Sequence, residues 1–134
     1  MNMSMSAWLQ HKIDEYTCSV RDLTVDFYMA QAKLNRPECT IEQLRKFNDT
    51  CLDMAELCQL NGDDQSYLHA MGKLHQRLVN ELSNTSRERL FRMQAWQLAR
   101  HSLSRLCHQL MLNGEWNKAT VLQNEFVTHA SSIM

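Results

Sequence analysis

The side chains able to do acid–base, nucleophilic or metal chemistry are spread along this chain without the spacing of a catalytic motif. The chain contains six histidines, five cysteines and 15 acidic residues. None of the motifs GxxxxGKS/T, GxGxxG, GxSxG or HExxH is present. Glu-x-x-His, which places two metal ligands on one helix face in di-iron bundles, is also missing. We therefore expect a protein that is not an enzyme and that holds neither a metal nor a cofactor.

The cysteines are interpreted as small apolar residues rather than as ligands or nucleophiles. Cys51 and Cys58 are seven residues apart on an apolar helical stripe, where a free cysteine packs like a small hydrophobe. No Cys-x-x-Cys pair occurs, and an odd total does not suit a disulfide framework. Glu125 and His129 share a helical face but supply two metal ligands at most. Free thiols and a cytoplasmic location are the expectation.

The feature most open to function is a set of arginines in the fourth predicted helix. Residues 86–113 carry five Arg and one Glu, whereas residues 41–85 carry four basic and seven acidic side chains. On a helical wheel Arg89, Trp96 and Arg100 fall on one edge. Two interpretations are open. In the first, the edge binds a phosphate backbone or an acidic partner. In the second, the arginines pair with acidic residues of neighbouring helices, and the acidic excess of residues 41–85 favours this second interpretation. The predicted partner-binding residues are Arg89, Met93, Trp96, Arg100 and Trp116.

Apolar periodicity and capping residues predict the helices that position these side chains. Residues 4–34 contain neither Gly nor Pro, and from Leu9 to Leu34 the apolar residues recur every three or four positions. This heptad stripe favours a bundle core over an intermolecular coiled coil. Thr40 with Gln43, and Thr85 with Glu88, match the capping-box pattern. The predicted helices span residues 4–34, 40–61, 64–82, 86–112 and 115–131.

Composition supports an all-α fold in a single domain, residues 1–134. Apolar residues make up 44% of the chain and charged residues 22%, while Gly and Pro number three and one. An all-β fold needs more turn residues than this. Because connections of about two to five residues make sequential helices antiparallel, we expect an antiparallel bundle of about five helices. Four of them would form an up-down core, with the fifth packed across it.

The segment between the last two predicted helices carries one resemblance. Gly114-Glu-Trp116-Asn-Lys-Ala119 is similar to the turn of a tetratricopeptide repeat, in which Gly, an aromatic residue and Ala take these relative places. The resemblance covers about 30 residues and has no second unit at the 34-residue period of such repeats. It implies an antiparallel helix pair with a peptide-binding groove.

Together these features predict a non-catalytic protein-binding module: an adaptor, chaperone or regulator that docks a partner segment on a helical surface. The alternative is a nucleic-acid-binding regulator that uses the Arg-rich fourth helix. A homodimer through helix one is a further expectation, because its stripe also suits a coiled coil. A net charge of −1 predicts no general attraction to an anionic membrane. No segment approaches the ~20 apolar residues of a membrane span.

Overall fold

The computed structural model describes residues 4–133, and five α-helices make up 84% of it. No β-strand occurs within this range, so the predicted all-α fold is confirmed. None of the helices in the described part of the chain is long and apolar enough to cross a membrane. The helices are α1 (Met5–Leu34), α2 (Ile41–Leu60), α3 (Asp64–Ser83), α4 (Arg89–Leu112) and α5 (Trp116–Ala130).

Local capping chemistry sets most of the helix ends. Thr40 and Gln43 form the predicted capping box of α2. The Gln43 backbone N–H donates to the Thr40 side chain at 3.2 Å, and the Thr40 backbone N–H donates to the Gln43 side chain at 3.0 Å. The Asp63 carboxylate accepts from the Ser66 N–H at 3.2 Å and caps α3. Gly62 follows the end of α2 with a φ of +71°, a left-handed conformation that favours glycine.

The start of α4 differs from the prediction. The helix begins at Arg89 rather than at residue 86, and the expected capping box of Thr85 with Glu88 does not form. The Ser86 N–H instead donates to the Asn84 side chain at 3.0 Å. Arg87, just before the helix, donates to Glu81 of α3 and to the backbone carbonyl of Arg36 in the α1–α2 connection.

The helices pack in an open arrangement. Within residues 4–133, α1 packs against α2 alone. Helix α2 packs against α3 and α4 as well, and α3 packs in addition against α4 and α5. In the expected four-helix up-down core, α1 joins through α2 alone, and the core contains buried residues of all five helices, Ala30 and Leu34 of α1 among them. Six long side chains are completely or almost completely buried there: Leu34, Leu44, Met71, Leu74, Leu78 and Leu82.

The N-terminal part of α1 projects beyond the other helices. Its 30 residues rise about 45 Å, against about 30 Å for the 20 residues of α2. Tyr16 contacts the α2–α3 connection, where its hydroxyl donates to Asp63 at 3.0 Å. All described residues before Tyr16 are exposed, Leu9 by 48% and Ile13 by 55%. The prediction that the whole stripe forms a bundle core is wrong for this part, because no other helix of residues 4–133 covers it. We call residues 5–15 the overhang.

Candidate functional site

Four of the five predicted site residues share one side of α4. Arg89, Met93, Trp96 and Arg100 are spaced four, three and four residues apart, which places them on a single helical face about 16 Å long. Both arginines are exposed, Met93 is at the boundary of exposure, and Trp96 is half-buried against the core. We call these four residues the α4 edge.

The charge on α4 is of one sign. Its 24 residues include four arginines and no Asp or Glu. Within residues 4–133, neither Arg89 nor Arg100 lies within 4.0 Å of a carboxylate. The Arg100 guanidinium carbon lies 5.0 Å from the centre of the Trp96 ring, a cation–π arrangement. Arg100 is exposed, so its guanidinium N–H groups are available for an anion.

The neighbouring arginines have structural contacts instead. Arg87 is buried and donates to Glu81 at 2.8 Å and to the backbone carbonyl of Arg36 at 2.7 Å, as well as to that of Leu34. Arg92 donates to the backbone carbonyl of Leu82 at 2.8 Å. The interpretation that the arginines pair within the bundle therefore holds for Arg87. It does not hold for the α4 edge.

A cleft with both apolar and polar residues in its lining adjoins the α4 edge at Arg100. It lies between α4 and α5, has a volume of about 280 Å³, and is lined by Arg100, Leu103 and Phe126 among others. Leu90, one turn away from Met93, is 68% exposed. The surface thus offers apolar contacts beside two free cations.

Trp116 lies apart from the other predicted site residues. It is the first residue of α5 and is 62% exposed. It follows the C-terminal end of α4, and Trp96 lies sixteen residues, about 24 Å, before that end. The structure therefore does not place Trp116 on the α4 edge.

A histidine and a serine meet inside the bundle. His75 Nδ1 lies 3.0 Å from the Ser102 hydroxyl, which donates its own proton to the Ala99 carbonyl at 3.0 Å. Burial lowers the pKa of His75, although the Ala99 carbonyl and the charge of Glu125 oppose that effect. Because Ser102 is 1% exposed, no substrate reaches its oxygen, and the contact serves to join α3 to α4.

The cysteines are free in the structure, and three of the five are buried. Burial raises the pKa of Cys51 to about 12, which keeps it protonated and unreactive. Within the described residues, no group of three His, Cys, Asp or Glu side chains is arranged to hold a metal ion.

Sequence reasoning missed a second surface, a groove between α1 and α3 with α2 as its floor. We call it the α1 groove. Its volume is about 420 Å³. Its lining is mainly apolar and includes Val20 and Phe27 of α1, Met54 of α2 and Ala70 of α3, with Lys73 on the α3 side. The difference in length between the first two predicted helices was the available signal.

Comparison of the chain with models of protein families, with curated proteins and with solved structures gave no significant match.

Proposed function

We propose that this protein is a non-catalytic binding module, an adaptor, chaperone or regulator, that docks an acidic segment of a partner protein on the α4 edge. The observation that carries the proposal is a pair of exposed arginines, Arg89 and Arg100, which have no carboxylate partner within residues 4–133 and lie on a helix with no acidic residue. Structural arginines of the same helix region are satisfied by the bundle, as Arg87 shows.

The free arginines favour carboxylates as the recognised groups. A guanidinium presents two parallel N–H donors that match a carboxylate, and such bonds are stronger than those between neutral groups. Arg89 and Arg100 are eleven residues apart, about 16 Å along α4. A helical partner segment would therefore carry its two acidic residues about eleven positions apart, and an extended one about five apart.

The apolar side chains between the arginines favour a protein over a nucleic acid. Met93 lies between them, and the lining of the cleft beside Arg100 includes the apolar side chains of Leu103 and Phe126. Met is adaptable at surfaces that bind peptides. A protein that makes about six to ten phosphate contacts uses about three to five times as many cations as the two of this edge. Arg45 of α2 reaches the same helix, but its guanidinium donates to Gln94 at 2.9 Å.

A selection from a displayed library of amphipathic peptides tests the proposal. The immobilised wild-type protein should enrich peptides with an apolar residue between two acidic ones. These peptides should lose most of their affinity for the Arg89→Gln/Arg100→Gln variant. The matched control is Arg21→Gln/Lys118→Gln, which removes the same charge from exposed positions on α1 and α5. Equal binding by both double variants would contradict the proposal.

The nucleic-acid alternative is tested in parallel with a DNA duplex and an RNA strand of about 20 units, using fluorescence anisotropy. Phosphate binding weakens steeply as salt rises, whereas binding of an apolar segment with two carboxylates responds weakly. A tight nucleic-acid complex with a steep salt slope, lost in the Arg89→Gln/Arg100→Gln variant, would replace the proposed function by the alternative.

A further inference from the structure

One face of α1 stays open along most of the helix. Leu9, Ile13, Val20 and Phe27 are separated by four, seven and seven residues, so they point in nearly the same direction. Leu9 and Ile13 lie on the overhang, where no other described helix packs, and Val20 and Phe27 line the α1 groove. The open face therefore runs from the overhang into the groove without a break.

The two parts of this face match each other in length. The overhang, residues 5–15, rises about 16 Å, and the groove wall from Tyr16 to Phe27 rises about as much. The apolar stripe is also symmetric. From Leu9 to Phe27 its spacings are four, three, four, three and four residues, which read the same in both directions. A helix with such a stripe is complementary to an antiparallel copy of itself.

We propose that a second copy of this chain covers the open face. The two α1 helices pack antiparallel about a two-fold axis near residue 18, and the overhang of each copy fills the α1 groove of the other. In this register Leu9 lies opposite the partner's Phe27. Ile13 lies opposite the partner's Leu23, and Tyr16 opposite the partner's Val20. The same contacts then occur twice, as a closed dimer requires.

The charges beside the stripe agree with this register. Lys12 comes beside the partner's Asp26, since both residues flank the stripe on the same side. On the other side Asp14 approaches the partner's Lys73, the cation of the α1 groove. The pairing extends about 27 Å along α1 and includes the groove floor from α2 and the groove wall from α3. An extent of this kind suits a standard interface of about 800 Å² per copy.

Sedimentation velocity on the full chain tests the dimer. The wild-type protein should sediment with twice the 15.7 kDa mass of one chain. Ile13→Glu places a carboxylate in the seam of both halves. It should raise the dissociation constant of the dimer by at least about 1,000-fold, because an unpaired charge is costly to bury at an interface. Ile13 is exposed in the single chain, so the variant should keep its helical circular dichroism.

Val25→Glu is the matched control. Val25 is as exposed as Ile13, at 55%, and lies on the same helix about 120° away from the open face. The control should remain a dimer. A wild-type monomer at millimolar concentration, or a dimer that Val25→Glu breaks and Ile13→Glu does not, would overturn the proposal.

A charge exchange tests the register itself. Asp26→Lys alone should weaken the dimer about fivefold through repulsion from the partner's Lys12. Lys12→Asp in the same chain should restore the affinity, and failure to restore it would overturn the antiparallel register. The inference does not rest on the α4 edge. The Arg89→Gln/Arg100→Gln variant should keep the wild-type mass whether or not it binds peptides.

Discussion

Replacing Arg87 by methionine should destabilise the bundle far more than the same change two residues later. The Arg87 side chain is 8% exposed and its partner Glu81 6%. The guanidinium also bonds to the carbonyls of Leu34, Arg36 and Pro37, which end α1. Its loss leaves a buried carboxylate and several backbone acceptors with fewer partners.

The magnitude follows from those contacts. Breaking a buried ion pair costs about 3–5 kcal/mol. We expect the lower end, about 3 kcal/mol, because Arg77 also contacts Glu81, at 3.1 Å, and continues to neutralise it. With a urea m-value of about 2 kcal/mol/M for a chain of this size, the unfolding midpoint should fall by about 1.5 M. Circular dichroism at increasing urea measures it.

The matched control is Arg89→Met. Arg89 is exposed and begins α4, where a cation opposes the helix dipole, so its replacement should change stability by no more than about 0.5 kcal/mol. Hydrogen exchange adds a second readout, because Arg87→Met should speed exchange at the end of α1 more than in α3. If Arg87→Met shifted the midpoint as little as Arg89→Met, the structural role assigned to Arg87 would be refuted.

Three other properties can be checked in the same way. Folding lowers the pKa of His75, so the free energy of unfolding should fall as the pH drops below the pKa of about 6.5 that histidine has in the unfolded chain. The urea midpoint should therefore be lower at pH 5.5 than at pH 7.5, and His75→Gln should reduce this difference. Thiol titration should find Cys18 reactive in the native protein, Cys51 unreactive, and all five thiols after denaturation; fewer than five would indicate disulfides. In the monomeric Ile13→Glu variant, Leu34→Ala should lower the free energy of unfolding by about 2–5 kcal/mol, measured by heat or urea, whereas Leu9→Ala should lower it by almost nothing. Similar losses for the two substitutions would contradict the exposed position of the overhang.

The helix boundaries were largely predictable because the signals that set them are local. The capping box at Thr40 and the glycine after α2 each depend on residues within one turn. Thr85 and Glu88 match the capping-box pattern as well as Thr40 and Gln43 do, but they do not form a cap. The competing contacts of Arg87 come from residues about fifty positions earlier in the chain, and no local pattern records them.

The candidate site was predictable in part for the same reason. Helical spacing alone places Arg89, Trp96 and Arg100 on one edge, and in the structure all three lie in α4, with Arg100 beside Trp96. Spacing could not distinguish the exposed Arg89 from the buried Arg87, because the difference depends on the position of Glu81 in α3. The period of the α1 stripe also could not show which part of the stripe packs against another helix, because that depends on where α2 ends.

The most direct test of the proposed function measures folding and binding on one variant. Arg89→Glu/Arg100→Glu should leave the melting temperature within a few degrees of the parent, because both side chains are exposed and lack carboxylate partners among the described residues. Its affinity for an acidic peptide selected on the wild-type protein should fall by about 100-fold or more, through repulsion between like charges. A variant that binds the peptide as well as the parent, or that loses binding only because it unfolds, would contradict the assignment of the α4 edge as the binding site.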